Sequence, residues 1–102
     1  MIKIVFFDID GTLVDDENRV PASVLPSLEQ LRAQGILTGL CTGRSPSELI
    51  QFHLSHPELP FDVEVFVNGA LARQGDRYLV RHPLPKTEVA QIVEICRKHN
   101  LP

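Results

Sequence analysis

Apolar residues along this chain gather into short runs, each closed by a turn-forming residue. Lys3 to Phe7 is one such run, rich in Ile, Val and Phe. It lacks the alternation of a half-exposed strand and predicts a buried strand of a parallel sheet. Ile36 to Cys41 and Val63 to Val67 read the same way. Between the first two runs, Leu25, Leu28 and Leu31 recur at helical spacing. Ser23 is the expected N-cap, Pro26 falls at the third helical position, and Gly35 is the stop. Ser45-Pro46-Ser47-Glu48 has the form of a capping box, with proline at the first helical position. The helix it opens carries Leu49, Ile50 and Phe52 and fades by Pro57. After the third strand, Leu71–Ala72 and Tyr78–Val80 flank Gln74-Gly75-Asp76-Arg77, which predicts a hairpin. A last helix from about Thr87 to His99 places Val89, Ile92, Val93 and Cys96 on one face, expected to pack.

Strands alternating with helices imply an α/β fold with right-handed crossovers and a mostly parallel, Rossmann-like sheet in three layers. Ligands of such sheets bind at the carboxyl ends of the strands. Asp8, Asp10, Thr42 and Asn68 all follow predicted strands, so three segments are expected to converge on one edge.

Composition narrows the function. The chain has 102 residues, a charged fraction of 23% and a net charge of -3. It carries no basic run or stripe, which argues against nucleic acid as partner. The apolar run before Asp8 is far too short to span a membrane, so no membrane association is expected. Cys41 and Cys96 are the only cysteines and form no CxxC pair. A reducing, cytoplasmic setting is the expectation, with Cys41 a small core residue and the four histidines at the surface.

The chemistry lies in Asp8-Ile9-Asp10-Gly11-Thr12. An aspartate and a phosphate ester repel each other as anions. A divalent cation between them removes that repulsion and polarises the phosphoryl group. Magnesium suits the task, because it takes hard oxygens from one or two carboxylates together with phosphate. Asp8 could then attack phosphorus and form an aspartyl-phosphate. Asp10, two positions on, points to the same side of an extended backbone and could protonate the leaving oxygen. Gly11 permits a sharp turn, and Thr12 offers a hydroxyl to phosphate or to a carboxylate. Arg44 suits a phosphate contact or an ion pair with an acid, and Asn68 a turn or a substrate contact.

The run Phe7 to Leu13 resembles the first signature of the haloacid dehalogenase superfamily, DxDGT. Cys41-Thr42-Gly43-Arg44 is similar to its second, and Val67-Asn68-Gly69-Ala70 resembles the third-strand exit of the Cof-type sugar-phosphate phosphatases. The resemblance implies a magnesium-dependent phosphohydrolase acting on a small phosphorylated metabolite. It makes Asp8 the nucleophile and Asp10 the general acid/base, with the Asp8 carboxylate and the Asp10 carbonyl as metal ligands. Thr42, with Gly43 and Arg44, would bind phosphate. A mutase of the same superfamily, or a phosphate- and magnesium-binding segment without activity, are the alternatives.

The superfamily also has a later lysine and a later acidic pair, neither of which is found here. Lys86 and Lys98 fall on or beside the last helix, and Glu58 and Asp62 stand singly. The expectation is therefore the N-terminal part of a longer enzyme. Residues 1–82 would belong to the core and residues 83–102 to the start of a cap domain. Alone, it is expected to self-associate through an open sheet edge.

Overall fold

The computed structural model describes all 102 residues. The first strand, β1 (Ile4–Phe7), pairs in parallel with β2 (Leu37–Cys41), and β2 pairs in parallel with β3 (Val63–Phe66). An antiparallel hairpin, β4 (Leu71–Gln74) and β5 (Arg77–Arg81), extends the sheet from β3. The spatial order β1-β2-β3-β4-β5 follows the sequence. The sheet is incomplete and Rossmann-like, as the pattern predicts, and mixed, because the predicted hairpin adds two antiparallel pairings to the two parallel ones.

The helix α1 (Val24–Ala33) joins β1 to β2. Its Leu28 is only 1% exposed, as the spacing predicts. The expected Ser23 cap does not form. Ser23 is itself in the helical region (φ -76, ψ -14), and the turn begins earlier, with the Val24 amide donating to the Pro21 carbonyl. At the other end Gly35 adopts φ +76, with its amide donating to Arg32 and the Ile36 amide to Leu31. This paired closure needs a residue in the left-handed region, which glycine tolerates best.

Between β2 and β3 the capping box forms as predicted. The Ser45 amide donates to Glu48 Oε2 at 2.6 Å, and the Glu48 amide to Ser45 Oγ at 3.4 Å. A 3₁₀ turn over Ser47–Leu49 leads into α2 (Ile50–Ser55). The last helix, α3 (Lys86–Lys98), follows Pro83 and Pro85.

Register divides the sheet into two faces. Phe7, Leu40 and Phe66 lie on one face, packed with Ile9, Leu13, Val14 and Leu49, with Val24 and Phe52 closing the edges. Both crossovers move the chain the same way across the sheet, so right-handed connections place both helices on this face. The opposite face is open: Phe6 is 45% and Leu37 43% exposed. Cys41 lies there too and is exposed, contrary to the expected core position. On this face the Phe6 ring covers Gly39, where a Cβ would stand 2.6 Å from two ring carbons. The apolar stripe of α3 is likewise uncovered, with Val89, Ile92 and Val93 all exposed and only Cys96 half-buried. The expected packing of that stripe is not made within this chain.

Candidate active site

After β1 the backbone winds into one tight turn. The Ile9 carbonyl accepts the amides of Thr12, Leu13 and Val14 at 3.2, 3.0 and 3.1 Å. Gly11 supplies the left-handed residue, φ +77. Ile9, Leu13 and Val14 point into the core, which leaves Asp8, Asp10 and Thr12 on the solvent side. Burial of the apolar residues thus fixes the direction of the polar ones. Asp8 Oδ1 accepts the Ile9 amide at 2.8 Å, and Oδ2 takes no hydrogen bond within the chain.

The exit of β2 supplies the second segment. Thr42 is 3% exposed, and its hydroxyl oxygen accepts the Arg44 amide at 3.1 Å. Because that oxygen acts as acceptor, its own hydrogen remains for an anionic ligand. Arg44 reaches back across 34 residues to Asp10, with Nη2 at 2.5 Å from Oδ1 and Nε at 3.1 Å from Oδ2. Of the two roles left open for Arg44, this structure shows the ion pair. Downstream, the Ser45 amide holds the Glu48 carboxyl below the usual range.

The third segment differs from its expected form. β3 ends at Phe66 rather than Val67, because Val67, Asn68 and Gly69 adopt positive φ of 51, 52 and 98°. The Val67 amide donates to the Arg44 carbonyl at 3.0 Å and the Asn68 amide to the Thr42 carbonyl at 3.2 Å. The Asn68 side chain lies against Gly43, where a Cβ would meet Asn68 Oδ1 at 3.1 Å. Asp8, Asp10 and Thr12 therefore share one loop, Thr42, Gly43 and Arg44 another, and Asn68 a third. Arg44 joins the first loop to the second, and backbone bonds join the second to the third.

Two charged clusters escaped the sequence reading. Glu64 Oε2 lies 2.6 Å from His53 Nε2, and Glu64 Oε1 accepts Arg73 Nη2 at 3.2 Å. This links α2 to the hairpin, so His53 is half-buried in a network rather than a lone surface ring. An acid on the face of β3 that also carries Phe66 needs partners, and that position was the available signal. Asp62 is the other case. Its Oδ2 accepts the Thr38 amide at 2.9 Å and Arg32 Nη1 at 2.6 Å. Burial raises its pKa, but these two donors outweigh burial and hold the carboxyl below its ordinary value.

The family profile of the haloacid dehalogenase-like hydrolases matches residues 5–102. The chain belongs to that family. It is 29% identical over 92 residues to YkrA of Bacillus subtilis (strain 168), covering 90% of this chain and 35% of that protein. A hypothetical protein of Geobacillus kaustophilus HTA426 superposes with a TM-score of 0.84 at 32% identity, over 98% of this chain and 38% of the other. The subclass IIB sugar phosphatase BT4131 superposes with a TM-score of 0.75 at 33% identity, over 95% and 38%. The chain thus spans little more than a third of the length of these haloacid dehalogenase-like relatives.

The donors that could hold magnesium are hard oxygens on one loop: the Asp8 carboxylate and the Asp10 carbonyl. That is a set magnesium accepts when phosphate and water complete it. No third acidic side chain gathers with them, since no group of three or more His, Cys, Asp or Glu forms a metal cluster.

Proposed function

We propose that this chain is the nucleophile-bearing part of a magnesium-dependent phosphomonoester hydrolase of Cof type. The carrying observation is the two-nitrogen grip of Arg44 on Asp10. It joins the carboxylate loop after β1 to the threonine loop after β2, which supports a shared role for the two loops at the carboxyl ends of the strands.

Asp8 is the nucleophile. Its carboxylate attacks phosphorus, the bond to the leaving oxygen breaks, and an aspartyl-phosphate results. Asp10 gives a proton to the leaving oxygen and later takes one from the hydrolytic water. The Thr42 hydroxyl and the Gly43 amide donate to the phosphoryl oxygens, with Thr12 beside them. Arg44 supplies positive charge to the same oxygens and orients Asp10. Magnesium, held by the Asp8 carboxylate and the Asp10 carbonyl, would neutralise the charge between nucleophile and phosphate.

The substrate class is a small phosphorylated metabolite, with sugar phosphates favoured. BT4131 is described as a sugar phosphatase. A Persephonella marina protein named glucosyl-3-phosphoglycerate/mannosyl-3-phosphoglycerate phosphatase is 39% identical over 69 residues, covering 66% of this chain and 24% of its own. Both names concern phosphate esters of sugars or their derivatives.

The test is Asp8→Asn in the full-length protein, assayed on an aryl phosphate. Turnover should vanish while the thermal midpoint holds. Activity within about tenfold of wild type would remove Asp8 as nucleophile.

A further inference from the structure

Left-handed backbone is rare for residues other than glycine, and for a β-branched residue it is an outlier that signals constraint. Val67 is such a residue, at φ 51°. It opens three consecutive left-handed positions, continuing through Asn68 at 52° and Gly69 at 98°. Side-chain burial does not explain this, because Val67 is 43% exposed. What holds the turn is its hydrogen bonding. The amides of Val67 and Asn68 donate to the carbonyls of Arg44 and Thr42, one on each side of Gly43. The turn itself is closed by the Ala70 amide on the Val67 carbonyl at 3.2 Å. Strained backbone of this kind persists only where the surroundings over-determine it, and such sites cluster where geometry matters to function.

We infer that Val67-Asn68-Gly69 is a positioning clamp for the loop Thr42-Gly43-Arg44, and that Asn68 acts through its left-handed backbone rather than by touching substrate. The inference rests on the phosphoryl-transfer reading of that loop. With the carbonyls of Thr42 and Arg44 both pinned, the Gly43 peptide between them has little freedom. The Arg44 guanidinium is then held on Asp10, with the buried Thr42 hydroxyl fixed two residues before it. Asn68 suits the position because asparagine tolerates the left-handed region better than most residues, and its amide rests in the space that Gly43 leaves open.

Glycine and alanine separate the two roles of residue 68. Both remove the amide side chain, but only glycine accepts φ near +52 freely. In the full-length protein, Asn68→Gly should keep kcat/KM for an aryl phosphate and inhibition by orthovanadate within about threefold of wild type. Asn68→Ala should lose about tenfold or more in both. Exchange of the Val67 amide with solvent should quicken about tenfold in Asn68→Ala and stay within about threefold in Asn68→Gly. Equal losses of activity in both variants would make Asn68 a substrate contact and overturn the clamp. Unchanged activity and exchange in both would overturn it as well. A wild-type protein inert toward phosphate esters would defeat the phosphatase reading instead, and the exchange comparison would still decide the clamp. Should Asn68→Ala fail to fold, Val67→Gly decides. It should raise the thermal midpoint by releasing strain and keep kcat/KM within about threefold, because glycine holds the same turn. A lower midpoint, or a tenfold loss of activity at an unchanged one, would refute the strain on which the clamp is built.

Discussion

Arg44 and Asp10 meet through two nitrogens and two oxygens, at 2.5 and 3.1 Å, although 34 residues separate them. A forked contact fixes direction as well as distance. Asp10 therefore stands oriented before substrate arrives, and the guanidinium that orients it lies beside the loop proposed to bind phosphate.

Arg44→Ala should lower kcat/KM by about 10- to 100-fold, the usual weight of a hydrogen bond to a charged group. Arg44→Lys should recover only part of this, because an ammonium cannot form the fork. Steady-state kinetics on an aryl phosphate measure both. Full recovery by lysine would reduce Arg44 to a simple positive charge.

Activity of the full-length protein should disappear in a chelator and return with magnesium. Calcium should restore it poorly, since it accepts more ligands in looser geometry. Undiminished turnover in chelator would remove the role given to the Asp8 carboxylate and the Asp10 carbonyl.

The 102 residues alone should be inactive and should self-associate. Strand β1 has an unpaired edge, and Phe6 and Leu37 leave apolar surface on one face of the sheet. Exposed edges and apolar patches of this kind promote association. Sedimentation velocity and a phosphatase assay test the prediction together. A monomeric, active chain would contradict it.

Acid should weaken the fold partly through Asp62 and Glu48. Both carboxyls are held below their ordinary values of 3.8 and 4.5. Each binds its proton less readily in the folded state than in the unfolded one. Its contribution is complete above the unfolded value and is lost as pH falls through the lower folded value. Thermal midpoints should therefore drop below about pH 4, and Asp62→Asn should flatten that drop while lowering the midpoint at neutral pH. An unchanged acid slope in Asp62→Asn would show that other groups carry the effect.

Much of this was legible in the chain itself. The β1 run, the Leu28 face of α1, the Gly35 stop and the Ser45–Glu48 box are local patterns, and each formed where its residues predict. The placement of Asp8, Asp10 and Thr42 was legible because they follow closely on β1 and β2. What escaped depends on contacts distant in sequence. The end of β3 moved because Val67 bonds to Arg44, a partner that no local rule supplies. The Ser23 cap failed because Pro21 had already turned the chain. Cys41 and the α3 stripe lie on surfaces that local hydrophobicity marks as core but that nothing in these residues covers. Arg44 could not be assigned to phosphate or acid until the fold placed Asp10 within its reach.

The ring of Phe6 over Gly39 ties two positions into one. A methyl group at position 39 would collide with that ring at 2.6 Å, so Gly39→Ala requires the ring to leave or the strands to part. Replacing Phe6 by a smaller residue would instead bare the backbone of β2 to water. Neither site can drift freely by itself, and the tolerated paths run through paired changes, a smaller residue at 6 with a larger one at 39. Across diverging sequences of this sheet, the two columns should covary although neither residue touches the phosphate loop.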